Sequence, residues 1–243
     1  MENEPRQEKK IVFRDDVTVD LVDSMASDLS VVKAAKVSTI GEGSIQEIDA
    51  NNSAGLINYL MRDRHGTPFE HNSMTFYVEA PIFVWREHMR HRIASYNEES
   101  GRYRQLKPTF YIPNANRNLV QEGKPGAYTF VPGTEEMYDS LAEGQKRICT
   151  ESYNEYNKQL KAGVAREVAR MILPLSIYST AYVTMNARSM MNFLSLRTKS
   201  DDSHFPSFPQ REIEMVAERY EEEFAKLMPI THGTFVKNGR VAP

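Results

Sequence analysis

The sequence predicts an α+β fold, in which a mixed sheet within a single domain is flanked by long helices. Segments in which apolar and polar residues alternate mark a few strands, near residues 17–22, 74–78 and 181–185. Long segments with a helical spacing of apolar residues separate these strands or follow them. Because the two kinds of segment do not alternate regularly, the pattern argues against a wound parallel sheet.

Length and composition indicate one soluble domain. The chain has 243 residues, which suits a single domain over 11–243 after a polar lead-in, 1–10, that we expect to be disordered. The net charge of −3 argues against a nucleic-acid-binding protein, which usually carries a basic surface. A single cysteine, Cys149, cannot form an internal disulfide. No signal peptide or membrane-spanning stretch is visible, so we expect a cytoplasmic protein without membrane contact.

The elements of the first half follow from local patterns. After the strand at 17–22, Asp28 is a candidate cap for a short helix. The stretch 41–52 is typical of a loop, and a second helix over 53–64 is stopped by Gly66.

The middle of the chain continues with a strand, a helix and two loops. After the strand at 74–78, Pro81 suits the first turn of a helix over 82–92. Residues 94–103 then form a polar loop, and 113–133 form an exposed, Pro- and Gly-rich excursion.

The second half is mainly helical. Thr134 caps a long helix that runs to about residue 162 and is ended by Gly163. The remaining predicted elements are a helix over 165–172, the strand at 181–185, a helix over 187–197 and a final helix over 209–227.

The densest polar segment is 90–103, which reads RHRIASYNEESGRY. Its arginines suit phosphate, because a guanidinium donates two parallel hydrogen bonds, and Gly101 allows a ligand to approach the backbone closely. Ser95-x-x-Glu98 also spells a helix capping box. No helical spacing of apolar residues follows Glu98, so the segment favours binding of an anionic, heteroaromatic ligand.

Two further arginine groups allow two interpretations each. Arg166 and Arg170 share one helix face, where solvated or paired charges are the more common case. Arg188 and Asn192 also share a face. Arg197 ends an apolar stripe, so its side chain either reaches water or points into a ligand pocket, and the spacing does not decide between them.

The histidines and the cysteine predict no metal site and no covalent catalysis. His65 with His71, and His88 with His91, are possible ligand pairs, but no third ligand accompanies either pair, and buried structural histidines are more common. Neither common phosphate-binding glycine loop is present. Cys149 lies within the predicted long helix and has the character of a small packed residue.

The segment 90–103 resembles the signature R-H-R-x-x-S-x-N-E-x-S-x-R-Y of flavin-dependent thymidylate synthases and matches every fixed position. Three other segments are similar to the family in the same order: 65–71, 166–174 and 186–197. The resemblance covers roughly 17–225. It implies the fold of that family and a homotetramer with shared active sites.

The resemblance also implies an activity, the reductive methylation of dUMP to dTMP. The carbon donor would be 5,10-methylenetetrahydrofolate, and FAD reduced by NADPH would supply the hydride. This chemistry needs no cysteine nucleophile, which agrees with Cys149. Two alternatives remain open: a nucleotide-binding flavoprotein that only oxidises NADPH, and a nucleic-acid-binding protein.

The resemblance assigns roles to individual residues. Arg197 would bind uracil and stabilise negative charge on its ring, a catalytic role. The residues implied in FAD binding are Ser38, His65, Thr67, Arg90, His91, Arg92, Glu98, Asn186, Arg188 and Asn192. Those implied in dUMP binding are Glu87, Arg90, Glu98, Ser100, Gly101, Arg102, Arg170 and Arg197. The link 198–203 is longer than the family pattern, so His204 receives no role.

Overall fold

The computed structural model describes residues 10–40, 53–124 and 127–243. Residues 1–9 of the predicted lead-in and the predicted loop 41–52 lie outside this description. The helices are α1 (Asp28–Ile40), α2 (Ala54–Arg62), α3 (Ile82–His88), α4 (Glu135–Lys161), α5 (Arg166–Ala169), α6 (Ala187–Arg197), α7 (Arg211–Leu227) and α8 (Pro229–Lys237). The strands are β1 (Val12–Arg14), β2 (Thr18–Met25), β3 (Ser73–Pro81), β4 (Ser95–Glu98), β5 (Thr109–Tyr111), β6 (Val120–Lys124), β7 (Ala127–Val131) and β8 (Tyr178–Met185). Helices and strands mix as the α+β prediction requires, and that prediction is confirmed.

The described chain falls into two compact units. The first comprises the chain up to Asp16, Ala80–Trp85 and Glu98–Ser179, and the second comprises Val17–Glu79, Arg86–Asn97 and Thr180–Pro243. The first unit contains the long helix α4, and the second contains α6, α7 and α8.

The second unit is built on a four-stranded sheet with the strand order β2-β3-β8-β4. Strand β2 runs antiparallel to β3. In β3 every second side chain is buried, namely Met74, Phe76 and Val78, because successive residues of a strand point to opposite faces. Strand β4 occupies an edge of the sheet and has mostly exposed side chains.

Helix α7 supplies much of the second unit's core. Its buried apolar residues recur at helical spacing: Ile213, Val216, Ala217, Tyr220 and Phe224. The Tyr220 ring lies 4.6 Å from the Phe76 ring of β3, centroid to centroid, and 5.5 Å from the Phe193 ring of α6. Aromatic packing of this kind fixes α6 and α7 against the sheet.

The first unit has its own core beneath α4. Strand β1 pairs in parallel with β5, and β6 and β7 form an antiparallel hairpin. The buried residues of this core are Leu106, Phe110, Cys149, Tyr153, Tyr156, Ala169 and Ile177. Cys149 is therefore a packed residue, as its helical position predicts.

The helix cap predicted at Thr134 is confirmed, and Asn186 caps a second helix. Thr134 accepts a hydrogen bond from the Met137 amide at the start of α4, at 3.2 Å. Asn186 accepts one from the Ser189 amide at the start of α6, at 2.8 Å. Both side chains satisfy amide groups that the helix itself leaves unpaired.

The prediction that Asp28 caps the helix that follows it, α1, is wrong. Ser27 accepts the hydrogen bond from the Ser30 amide at the start of α1, at 3.2 Å. Asp28 instead accepts hydrogen bonds from the Ile230 and Thr231 amides, at 2.9 and 2.8 Å, in the first turn of α8. Its carboxylate therefore caps a helix more than two hundred residues away in the sequence.

Two loop predictions and one helix boundary need correction, and one helix was missed. The predicted loop 94–103 contains strand β4, whose polar residues follow no alternating pattern because it lies at the sheet edge. The excursion 113–133 contains the β6–β7 hairpin. Helix α3 ends at His88 and not at residue 92, and α8 follows what was predicted to be the final helix.

Candidate functional site

Arg197, the last residue of α6, is held by two side chains from the region of α3. Its Nη1 donates to the Glu87 carboxylate at 2.9 Å, and its Nε donates to His91 Nε2 at 3.0 Å. A weaker bond joins Nη2 to the Glu87 carbonyl at 3.5 Å. A guanidinium has five N–H groups, so two remain without a partner among the described residues. The side chain is 19% exposed, which leaves these donors available to a ligand.

The protonation state of His91 fits this arrangement. Burial, and secondly the Arg197 charge, lower the pKa of His91 to about 4, so its ring is neutral at neutral pH. A neutral ring can accept the Arg197 Nε–H at its Nε2 and then carries its proton on Nδ1. Burial raises the pKa of Glu87, while the Arg197 charge opposes that rise.

A buried hydrogen-bond chain supports this site from behind. His88 is fully buried, and burial is the main cause that lowers its pKa to about 3. Its ring nitrogens lie 2.9 Å from the Tyr220 hydroxyl and 3.3 Å from the Tyr96 hydroxyl. The Tyr96 hydroxyl donates to the His91 carbonyl at 2.8 Å. His88 is thus a core histidine, as predicted, and the chain fixes the turn that carries His91.

Arg90 and Arg92 lie on either side of His91 and point outward. Both side chains are exposed, whereas His91 is half-buried. Neither arginine has an ion-pair partner among the described residues. The segment therefore presents two free guanidinium groups beside the Arg197 contact, a suitable arrangement for binding phosphate.

A fourth arginine, Arg188, is packed against the turn that follows α2. Its Nη1 donates to Glu70 at 2.5 Å, and its Nε donates to the Pro243 carbonyl at 2.7 Å. A methyl group at Gly66 would come within 2.5 Å of the guanidinium carbon, so a larger residue there requires the Arg188 side chain to shift. Asn72 accepts a hydrogen bond from the Ala187 amide at 2.8 Å and so ties this turn to the start of α6.

The remaining residues implied in FAD binding are placed as follows. His65 and Thr67 are exposed and flank Gly66 on the same turn. Gly66 itself lies against the Arg188 guanidinium. Asn192 is exposed on α6, one turn after Arg188. Ser38 lies on α1, and its side chain is outside the described residues. Glu98, in the first unit, accepts a hydrogen bond from the Ser179 hydroxyl at 2.5 Å.

The first unit brings together the remaining residues implied in dUMP binding. Gly101 is buried, and an added methyl group there would lie 3.3 Å from the Arg170 side chain. Arg102 donates to Glu167 at 2.9 Å, with both side chains more than half exposed. The Ser100 hydroxyl accepts a hydrogen bond from the Arg102 amide at 3.3 Å. Arg170 is exposed and has no ion-pair partner in the described part of the chain.

Two chemistries receive no support from this geometry. Within the described ranges, no group of three histidine, cysteine or acidic side chains could hold a metal ion. Burial raises the pKa of Cys149, which opposes formation of a nucleophilic thiolate. In the described chain no helix is both long and apolar enough to span a membrane.

Spacing in the sequence gives no sign of several of these contacts. Arg197 lies more than a hundred residues after Glu87 and His91, and Tyr220 lies further still from His88. The one local signal is the apolar stripe that ends at Arg197, which indicates that the Arg197 side chain lies at the edge of the core. In the structure the Arg197 side chain is 19% exposed and bonded to Glu87 and His91, so it does not extend freely into water.

Comparison with known proteins gives consistent results. A family model described as thymidylate synthase complementing protein matches residues 20–230. The flavin-dependent thymidylate synthase of Streptomyces coelicolor is 58% identical over 242 residues, covering 98% of this chain and 98% of that protein. The flavin-dependent thymidylate synthase of Tropheryma whipplei is 58% identical over 233 residues, covering 96% of this chain and 97% of that protein.

Solved structures show a similar fold. A UMP/dUMP methylase, PolB from Streptomyces cacaoi, bound with 5-Br dUMP has a TM-score of 0.90 and 54% identity, and the match covers 96% of this chain and 100% of that one. The same enzyme bound with 5-Br UMP has a TM-score of 0.89 at the same identity.

Proposed function

Because the chain belongs to the family of flavin-dependent thymidylate synthases, we propose that it methylates dUMP to dTMP, with 5,10-methylenetetrahydrofolate as carbon donor and NADPH as reductant. The observation that carries the proposal is the Arg197 guanidinium, held by Glu87 and His91 with two donors unused. A fixed positive group with free N–H donors suits a ring that gains negative charge during the reaction. The enzyme would act in the cytoplasm.

The arginines on either side of His91 fit FAD. Arg90 and Arg92 offer exposed, unpaired guanidinium groups suited to the pyrophosphate. We assign the other flavin contacts to Ser38, His65, Thr67, His91, Glu98, Asn186, Arg188 and Asn192. When bound, FAD supplies the hydride chemistry between NADPH and the one-carbon group.

The protein's own residues bind and orient the nucleotide. We assign dUMP binding to Glu87, Arg90, Glu98, Ser100, Gly101, Arg102, Arg170 and Arg197. Arg170 is the candidate for the 5′-phosphate, since its guanidinium is exposed and unpaired in the described chain. Arg197 would donate to the uracil ring, and neutral His91 would keep that donor in place without adding a competing charge.

The test uses purified protein under anaerobic conditions. We expect a yellow protein that bleaches on addition of NADPH and forms dTMP only when dUMP and methylenetetrahydrofolate are both present. A yellow protein that oxidises NADPH without forming dTMP would instead be the flavoprotein oxidase. A colourless protein that cannot be loaded with FAD would contradict the flavin assignment. Nucleic-acid binding that weakens steeply with salt would then support the remaining alternative.

UMP is a second candidate substrate. The structural relative PolB, 54% identical to this chain, is described as a methylase of both UMP and dUMP. The same assay with UMP in place of dUMP decides the question. Formation of 5-methyl-UMP at a comparable rate would extend the substrate range, whereas no product would restrict it to the deoxynucleotide.

Replacement of Gly66 is expected to weaken FAD binding. In Gly66→Ala, the new methyl group would overlap the Arg188 guanidinium, whose Nε and Nη1 are both already bonded, so the side chain must move. We expect FAD affinity to fall about tenfold, which corresponds to ~1.4 kcal/mol. Titration of apoprotein with FAD measures this effect.

Gly55→Ala is the matched control for that experiment. Gly55 lies in α2, and a methyl group there would meet no atom within 4 Å. The control should bind FAD like the original protein and gain slightly in stability. Equal FAD affinity in both variants would contradict the assignment of Arg188 to the flavin.

An exposed apolar segment of the first unit supports the proposed homotetramer. The exposed apolar side chains between residues 164 and 175 are Val164, Val168, Met171, Ile172 and Leu175. Met171 is 78% and Leu175 60% exposed, values that are costly for large apolar groups in water. We propose that a second copy of the chain covers this segment.

Leu175→Asp should therefore dissociate the tetramer into smaller species, because a carboxylate would have to be buried in the interface. Light scattering coupled to size exclusion measures the mass. Ile148→Asp is the control, since Ile148 is 45% exposed on α4 and lies outside the segment. A tetramer that survives in Leu175→Asp would contradict the placement of the interface.

A further inference from the structure

A buried ionic cluster lies beside the C-terminal end of α6, and the proposed function does not use it. Arg240 is 6% exposed, and its Nη1 and Nη2 donate to the two carboxylate oxygens of Glu221 at 2.7 and 2.6 Å. Glu221 also lies 2.7 Å from His232 Nε2. Burial raises the pKa of Glu221, but hydrogen bonds from His232 and Arg240 outweigh it and lower the pKa to about 2.

This cluster reaches the residue that follows Arg197. Nη2 of Arg240 donates to the Thr198 hydroxyl at 2.8 Å, and that hydroxyl donates to the Leu194 carbonyl at 2.7 Å. The Ser207 hydroxyl donates to the Thr198 carbonyl at 2.6 Å. The hydroxyl and the carbonyl of Thr198 are thus both held by side chains that follow α6 in the chain, Arg240 and Ser207.

The backbone that carries Arg240 adopts an unfavourable conformation. Arg240 has a φ of +56°, a left-handed value that residues with a side chain rarely adopt. Gly239 has a φ of +73° and lies so close to His204 that an added methyl group would come within 2.9 Å of it. Nε of Arg240 is also buried without a hydrogen-bond partner in the described residues.

These features are costly, and a buried ion pair by itself is weak evidence for stability. Apolar residues of similar volume could fill the same space without an unpaired donor. Strained backbone conformations of this kind are commonly retained where a site needs a precise geometry. Since Arg240 is almost fully buried, that geometry is not a direct contact with substrate.

We infer that Arg240, held by Glu221, is a positioning residue that fixes Thr198 and thereby the base of the Arg197 side chain. This inference rests on the proposed role of Arg197 in binding uracil. Glu87 and His91 hold the far end of Arg197, and the Thr198 contact holds its near end. A shift of the backbone there would misalign the two free guanidinium donors, and misplacement by about 1 Å can cost about a hundredfold in rate.

The test is Thr198→Val, which removes the hydroxyl but nearly keeps the shape. We expect KM for dUMP to rise about tenfold, while KM for NADPH and the FAD content stay unchanged. Thr198→Ser, which keeps the hydroxyl, should restore the original KM. Thr150→Val is the matched control, because its hydroxyl makes the same contact with the carbonyl four residues earlier, on exposed α4.

Arg240→Met is a second variant that should raise KM for dUMP in the same way. Arg219→Met, which removes an exposed ion pair with Glu222 on α7, is its control. In an Arg197→Ala background, Thr198→Val should cause no further loss of dUMP affinity, since coupled residues are not additive.

An unchanged KM for dUMP in Thr198→Val would overturn the inference, even if the melting temperature fell. The Thr198 hydroxyl would then contribute to stability alone and not to dUMP binding. Failure of Thr198→Ser to restore KM would overturn it as well. Failure of the proposed function is distinct: the original protein would then form no dTMP, or Arg197→Ala would bind dUMP normally. Either result would remove the premise and the inference with it.

Discussion

Arg197→Ala is expected to lower the rate of dTMP formation at least about a hundredfold, the loss typical when a fixed donor to developing charge is removed. The variant should keep its FAD, because Arg197 contacts Glu87 and His91 and is assigned to uracil. Its NADPH oxidation in the absence of dUMP should also remain. Product analysis and the visible spectrum of the same preparation measure both properties.

Arg197→Lys sharpens this experiment. Lysine keeps the positive charge but lacks the planar fork that bonds Glu87 and His91 while leaving two donors free. Activity should therefore remain well below that of the original protein. Arg219→Ala, at an exposed position of α7, should behave normally. Substantial dTMP formation by Arg197→Ala would refute the catalytic assignment.

Asp28→Ala is expected to lower the free energy of unfolding by about 3 to 5 kcal/mol. The Asp28 carboxylate is buried and accepts three hydrogen bonds, from the amides of Ile230 and Thr231 and from the Thr231 hydroxyl at 2.6 Å. Alanine would leave these donors unpaired and remove a negative charge from the positive end of α8. Urea unfolding followed by circular dichroism measures the loss.

Two comparisons separate this effect from a general one. Asp28→Asn keeps one acceptor oxygen and should lose less stability than the alanine variant. Asp23→Ala removes an exposed carboxylate that accepts a hydrogen bond from the Ser24 amide, and should change stability by less than about 0.5 kcal/mol. A loss in Asp28→Ala as small as that in Asp23→Ala would show that the α8 cap contributes little.

Local signals explain which elements were predicted correctly. Helix α6 occupies 187–197 as predicted, because Asn186 caps its start and its apolar residues recur at helical spacing. Helix α4 begins after Thr134, and Gly163, with a φ of +88°, follows its end. Each of these signals lies within a few residues of the boundary that it sets.

The missed elements depend on distant residues. Strand β4 lies at a sheet edge, so its polar sequence carries no burial pattern. Helix α8 contains weak helix formers such as Gly233, and the carboxylate that caps it comes from Asp28. The partners of Arg197 are equally remote. The motifs identified candidate residues, and only the fold showed which side chains touch.

The cap on α8 also constrains the order of events during synthesis. Asp28 and Thr231 are 203 residues apart, so a ribosome adding ~5–20 residues per second needs about 10–40 s to make the second after the first. The main segment of the first unit, Glu98–Ser179, is continuous and is complete well before then. The second unit is assembled from three separate segments and cannot close until the last has emerged. A nascent chain stalled before residue 229 should therefore be protease-resistant in the first unit and still open in the second.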